Sequence, residues 1–425
     1  MTNQPGVMSA REAISAPGVR PLLISSMVLT IGVMLQAAAL GKHVYDITGS
    51  EMSIGLLGLA EFLPAAALVL VTGTVADRLN RKKVSLVAQF GEFTCSILLM
   101  VYALNVTEPD GGGSALPIYA IAFLFGASRA FLAPALRPIA AMIAPDGGLP
   151  RVIAFYSATW TGAAIVGPAI SGFLYAVDPA LAYGVAAVLI LCGMASLSLV
   201  TLPAVVTTEE KTERPTLRDA VQGLVFIRRT PVLLAAISLD LFAVLFGGAV
   251  ALLPVIAEEQ LQVGDVAYGW LRAAGGLGAA AMAVFLAFRP VRRHVGRTLL
   301  WVVAIFGAAT IVLGTTRSYW IAFIALIIAF GADMVSVFIR GSIVPLVTPD
   351  DKRGRVLAVE NVFIGASNEL GAFESGVASQ AFGAPAAVVG GGVATVGIVG
   401  LFWFIFPSLR KIDRFSDLQR DGTSE

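Results

Sequence analysis

The sequence predicts an all-α membrane protein in which twelve transmembrane helices form two pseudosymmetric six-helix bundles. Three observations carry that prediction. There are twelve apolar runs long enough to cross a bilayer, an internal repeat at an offset of 204 residues, and a cationic hairpin, G-T-V-A-D-R-L-N-R-K-K, at 73–83.

Composition sets the class. The 425 residues are 57% hydrophobic and 13% charged, with a mean hydropathy of +0.83, whereas soluble domains carry roughly 25% charge. A bilayer crossing needs about 20 mostly apolar residues.

Such runs appear in order along the chain. The first, 22–44, follows Arg20-Pro21; 52–76 closes on the hairpin, and 84–104 leaves it. Spans 115–143, 153–176 and 180–202 complete a first half, the last opening after Asp178-Pro179. The second half begins after Thr230-Pro231 with 231–257 and continues through 266–288, 297–316 and 318–347, the last two separated only by Arg317. Spans 356–380 and 384–407 end it. These runs divide the chain into a tail at 1–20, a bundle at 21–202, a linker at 203–230, a bundle at 231–407 and a tail at 408–425.

Orientation follows from Lys and Arg, because basic loops stay cytoplasmic. With both termini inside, cytoplasmic segments hold 23 of the 29 basic residues, and only Lys42 and Arg317 face outward. Residues 1–20 lack the apolar core of a cleavable signal, so the first span is expected to direct insertion. The two cysteines, Cys95 and Cys192, both fall inside spans, which offers neither a disulfide framework nor a metal cluster.

The halves are related. Pro145, Asp146, Arg151, Val152, Ala154, Gly167, Ser171 and Gly172 match Pro349, Asp350, Arg355, Val356, Ala358, Gly371, Ser375 and Gly376. Duplication explains the match, and parallel six-span halves are the arrangement of secondary transporters with a midplane site. The first hairpin's counterpart at 289–297 is degraded and has Arg293 where Asp77's equivalent would stand.

On these residues the chain resembles the major facilitator superfamily over nearly its whole length. Gly73, Asp77, Arg78, Arg81, Lys82 and Lys83 meet a loop signature similar to that family's, G-x-x-x-D-R-x-x-R-K/R-K/R. The run G-A-A-I-V-G-P-A-I-S-G at 162–172 is similar to the pattern of superfamily exporters, so the resemblance implies efflux. With P-D-D-K-R-G-R at 349–355 and I-G-A-S-N-E-L-G-A-F-E-S-G at 364–376, it looks most like the drug:proton antiporter branch containing siderophore exporters and macrolide efflux pumps.

A superfamily fold would place the hairpin beside the start of span 11, whose N-terminus carries partial positive charge. Asp77 is expected to bond there, next to Arg353, Gly354 and Arg355, and to hold the cytoplasmic gate shut. In this reading Gly73, Arg78 and Arg81 shape the same gate. The competing reading anchors the basic residues to anionic lipid. Gly167, Pro168 and Gly172 serve either as a bending point or as close helix packing.

Charge inside a bilayer is costly and so marks function. Glu61, Arg129, Asp240, Asp333 and Glu369 count to near the midplane, with Arg340 and Glu374 further along spans 10 and 11 and Gln36 in span 1. These eight are the expected proton- and substrate-binding residues. Glu61 and Asp240 are the preferred proton carriers, their competing reading being a static pair with a nearby Arg. Pseudosymmetry sets Asp333 opposite Arg129, and Glu92 and Glu360 count to nearer the cytoplasmic ends.

The expected activity is proton-coupled export of a small organic solute by alternating access, in a bacterial inner membrane. The alternatives are a broad multidrug pump without a dedicated cargo and a non-transporting sensor or scaffold. An enzyme is not expected, since no nucleotide loop or triad is visible. The expected partners are a small-molecule substrate, protons and the lipid bilayer, with no cofactor, metal or nucleic acid, and a monomeric chain.

Overall fold

A computed structural model describes residues 10–106, 114–145, 147–202 and 217–420. Among them there is no strand. Twelve long helices follow one another: α1 Val19–Thr48, α2 Glu51–Arg78, α3 Arg81–Asn105, α4 Ala115–Met142, α5 Leu149–Val177, α6 Pro179–Ser198, α7 Pro231–Phe246, α8 Asp265–Phe288, α9 Val295–Thr315, α10 Tyr319–Val347, α11 Asp350–Phe382 and α12 Ala384–Ile405. A shorter linker helix, Leu217–Arg229, precedes α7. Eleven of the long helices, α7 with its extension to Gln260, are apolar enough to cross a membrane by length and composition alone. The twelfth, α11, has 33 residues and more than enough length, but carries Glu360, Glu369 and Glu374.

The helix ends have local causes. Asn80 caps α3 by accepting from the Lys83 backbone N–H at 3.2 Å, and Asp178 caps α6 by accepting from Ala180 at 2.6 Å. Pro at the first turn of α6, α7 and α12 sits where no intrahelical donor is lost.

The chain divides into two compact units. The first holds Met1–Thr48 and Leu63–Arg214, and the second holds Gly49–Phe62 and Pro215–Glu425. The opening half of α2 therefore groups with the second unit. There, Gly55 and Gly58 lie against Ala372, Phe373 and Gly376 of α11.

Within each unit the same pairs of helices pack. In the first, α1 meets α5 and α6, and α3 meets α4 and α6; in the second, α7 meets α11 and α12, and α9 meets α10 and α12. The closest approaches are made by glycine, as expected where helices associate by packing rather than by exclusion of water. A Cβ at Gly167 of α5 would lie 2.7 Å from Met34 Cβ and 2.9 Å from the Ile31 carbonyl of α1. At the repeat-equivalent Gly371 of α11 it would lie 2.9 Å from the carbonyls of Val244 and Leu245 of α7. The internal repeat is thus visible as one contact made twice.

Two details differ from the sequence expectation. The run 231–257 is not one straight helix: α7 stops at Phe246, and a 3-10 turn, Gly248–Val250, and a π turn, Ile256–Gln260, carry the chain on. The break falls at Gly247 and Gly248, where helix propensity is poor. A Cβ on Gly248 would be 2.5 Å from the Gly371 carbonyl and 2.6 Å from Ser375 Oγ. Close contact with α11 therefore selects glycine at the cost of a continuous helix.

The second difference concerns the degraded hairpin at 289–297. Its missing acid is supplied from the C-terminal tail. The His294 backbone N–H donates to Asp413 Oδ1 at 3.0 Å, Arg293 Nε lies 3.5 Å from Asp413 Oδ2, and Val295 and Gly296 donate to the Asp413 and Ile412 carbonyls. His294 adopts φ 54° to make this turn.

The His294 N–H, and then the charges of Arg293 and His294, hold the Asp413 carboxyl below the usual carboxylate range. A depressed folded value means docking is fully supported above the unfolded value of about 3.9 and is lost as pH falls through the lower, folded one. Spin labels at Arg292 and Ser416 are expected to stay close at pH 7 and to separate in acid, below about pH 4. Asp413→Asn should separate them at neutral pH already.

Candidate functional site

In the second unit, α7, α10 and α11 bring a set of charged groups together. Arg340 Nη2 stands 2.7 Å from Asp240 Oδ1, each side chain being only 6% exposed. Arg340 Nε donates to Ser336 Oγ at 3.3 Å. Asp333, two turns before Arg340 on α10, and Glu360 of α11 both lie within electrostatic reach of the same guanidinium. One cation thus faces three carboxylates from three helices, inside a medium in which an unpaired charge is expensive.

The geometry explains the residue types. Arg keeps its charge and offers several donors in a fixed fork, so it can hold one carboxylate and one hydroxyl at once. Asp333, Ser336 and Arg340 are spaced to share one face of α10.

The other predicted residues are distributed as follows. Glu61 of α2 is half-buried one turn beyond Gly58, and a Cβ at Gly58 would lie 3.4 Å from Glu369 Oε2 of α11. This places Glu61 and Glu369 on helices that touch within the second unit. Glu374 is half-buried next to Ser375. In the first unit, Arg129 is exposed, its guanidinium 5.5 Å from the centre of the Phe125 ring. Gln36 is wholly buried and accepts from Ser96 Oγ.

The gating segments sort differently. The Asp77 side chain lies outside the described residues. Gly73 has open space around it, and Arg78 is exposed. Arg81 donates to the Ala76 carbonyl at 3.4 Å, while Lys82 Nζ donates to the Ser198 and Val200 carbonyls at 2.6 and 2.7 Å. Lys82 thereby closes the C-terminal end of α6, where a cation meets unpaired carbonyls.

Across the start of α11 lies the linker helix. Arg355 Nη1 donates to Gln222 at 2.8 Å, and a Cβ at Gly223 would lie 2.8 Å from the Arg355 carbonyl. Arg353 pairs with Asp350 at 2.6 Å and donates to the Pro345 carbonyl at 3.2 Å, and Gly354 has open space around it. Gly167 makes the α1 contact above, and Pro168 and Gly172 are buried in an α5 that runs uninterrupted.

Some participants were not singled out from sequence. Ser336 of α10, legible only as an i−4 neighbour of Arg340, accepts from Arg340 one turn along the same helix and so holds the guanidinium that reaches Asp240 of α7. Glu360 counts toward a span end yet joins the Arg340 group; its seven-residue spacing to Ser367 and Glu374 was the available signal. Lys42, expected to face outward, is buried near the end of α1. It pairs with Asp46, whose other oxygen accepts from Tyr175 at 2.7 Å.

Residues 11–421 match the family model described as "Transmembrane secretion effector". The chain belongs to this family of major facilitator superfamily transporters.

The chain is also similar to individual known proteins. It is 27% identical over 363 residues to the enterobactin exporter EntS of Escherichia coli O1:K1 / APEC, covering 84% of each chain. It is 24% identical over 155 residues to macrolide efflux protein A of Streptococcus pyogenes, covering 36% of this chain and 35% of that one. Among solved structures it matches a D-xylose–proton symporter (TM-score 0.67, 14% identity, 92% and 98% of the two chains) and a bacterial homolog of the human lysosomal transporter Spinster (TM-score 0.70, 15% identity, 92% and 96%). At these identities the structures speak for the fold alone. The chain is an integral membrane transporter of the twelve-helix, two-bundle fold.

Proposed function

We propose that the protein is a secondary exporter that moves a small organic solute, siderophore-like or an amphiphilic drug, by alternating access coupled to protons. The observation that carries this reading is the buried Arg340 with Asp240, Asp333 and Glu360 around it. A guanidinium with several carboxylates in reach can exchange partners when one of them takes up a proton, so proton binding and helix position become linked. Glu61, Glu369 and Glu374 line the same unit as further acidic groups. Arg129 and Gln36 supply polar contacts from the first unit. Export, rather than uptake, is supported by the direction named for the enterobactin and macrolide relatives.

In this reading the chain works as a monomer in a bacterial inner membrane with both termini cytoplasmic. Its functional segments are a tail at 1–20, a bundle at 21–202, a linker at 203–230, a second bundle at 231–407 and a tail at 408–425. Asp77 and the Gly73–Arg78–Arg81 hairpin act with the 353–355 segment on the cytoplasmic gate, and Gly167, Pro168 and Gly172 hold α5 against α1 as the gate moves.

The test is solute flux in proteoliposomes holding the purified full chain. An imposed pH gradient should accelerate transport of enterobactin or a macrolide by about tenfold, within the usual range of conformational coupling. Flux insensitive to the gradient would remove proton coupling, and flux of neither solute would remove export of these classes. Comparable flux of many unrelated amphiphiles would favour a multidrug pump.

A further inference from the structure

The first unit contains a polar group that the Arg340 cluster does not use. On α3, Ser85, Gln89, Glu92 and Ser96 recur at intervals of four, three and four, so they line one helix face. All four are wholly buried. Both carboxylate oxygens of Glu92, both amide atoms of Gln89 and Ser85 Oγ lack any hydrogen-bond partner. Ser96 Oγ donates to Gln36 Oε1 of α1, with the Glu92 carbonyl as a second, longer acceptor for the same proton, while Gln36 Nε2 is also without a partner.

Buried polar atoms are nearly always satisfied. So many unsatisfied atoms on one face therefore call for an explanation. A bare carboxylate is the most costly of them, because its charge has lost water and gained no donor.

Neighbouring helices do not supply the missing partner. From α4, Arg129 lies within electrostatic reach of Glu92, but no donor approaches either carboxylate oxygen. At Gly91, α3 and α4 are already so close that an added Cβ would run into Ser128. From α1 comes Gln36; the charged residues further along that helix are engaged elsewhere, Lys42 with Asp46 and His43 with Tyr183 at 3.0 Å. From α6 come only Tyr183, bound to that histidine, and the exposed Cys192 as titratable groups.

We propose that Glu92, Gln89, Gln36 and Ser96 form a monovalent-cation site inside the first six-helix unit, filled by a proton or by Na⁺. A single positive charge neutralises the carboxylate, and the oxygens of Gln89, Gln36 and Ser96 suit a hard cation, which takes oxygen ligands. The site belongs to the first unit and the Arg340 cluster to the second. Its use in transport rests on the exporter reading above, whereas its existence does not.

Two measurements on the purified full-length protein in lipid nanodiscs decide it. The first is infrared spectroscopy, which detects the carbonyl stretch of a protonated carboxylic acid. The second is equilibrium binding of ²²Na⁺. If the occupant is a proton, the acid band is present in the wild type at neutral pH, absent in Glu92→Gln and displaced in Glu92→Asp. If it is Na⁺, saturable binding in the wild type is lost in Glu92→Gln and weakened in Gln89→Leu. Should Glu92→Gln not fold, the Glu92→Asp band and Gln89→Leu binding give the same decision. An acid band and a Na⁺ isotherm both indifferent to these substitutions would overturn the site.

Flux then separates the two readings. Glu92→Gln should lower gradient-driven flux about tenfold or more while solute counterflow persists. A wild type indifferent to every cation gradient would count against the coupled exporter and leave the binding result standing.

Discussion

Arg340→Gln is expected to be among the most damaging single substitutions in the second unit, costing about 3–5 kcal/mol. The change leaves Asp240 buried 2.7 Å from where its ion-pair partner stood, and it removes a cation that Asp333 and Glu360 also sense. Asp240→Asn should cost less, because Arg340 keeps Ser336 and remains near two other acids. The double variant should recover part of the loss, as replacing both partners of a buried pair is often nearly neutral. Thermal unfolding of the purified variants in one detergent checks this order. An Arg340→Gln midpoint at or above that of Asp240→Asn would remove the idea that one guanidinium holds several carboxylates. Transport should follow the same ranking at permissive temperature.

Gly167→Val is expected to destabilise the first unit by about 1–3 kcal/mol or more. The added atoms meet the Ile31 carbonyl and the Cβ of Met34, at 2.9 and 2.7 Å from the first new carbon, and backbone cannot rotate away as a side chain can. Gly371→Val should do the same in the second unit against Val244 and Leu245. An internal control lies five residues from Gly167. Gly162 has nothing within 4 Å of an added Cβ, so Gly162→Ala should be neutral or gain up to about 1 kcal/mol from helix propensity. Opposite signs in melting temperature within one helix would assign Gly167 to packing. Equal effects at both positions would leave the glycines as general features of a membrane helix.

Much of the fold was legible because the bilayer imposes a length on every element, and length is read directly from hydropathy. The repeat was legible for a different reason. Gly167 and Gly371 survive in both halves because each sits under a backbone that leaves no room for a side chain. The side of a helix on which a charge lies was much less accessible. Spans such as α6 and α12 are apolar all round, so periodicity does not announce the buried face. Counting residues along a span gave depth alone. It ranked Asp240 and Asp333 high, but set Glu360 near a span end, although Glu360 reaches the Arg340 group. The break after Phe246 was hidden as well, because glycine in a membrane helix is common and only the approach of Gly371 and Ser375 turns these glycines into an interruption. Asp413 was illegible in principle, since it acts on a hairpin more than a hundred positions away.

That last contact bears on how the protein is made. The turn that starts α9 is completed by Asp413, 119 positions later in the chain. At synthesis rates of about 5–20 residues per second, the hairpin waits roughly 6–24 s for its carboxylate. Nascent chains that end before Asp413 should therefore carry an unfinished α8–α9 turn through most of the second unit's insertion. Locking of this turn is then a late step of biogenesis, and a stop codon just before Asp413 would release a chain whose spans are all present but whose turn has never been locked.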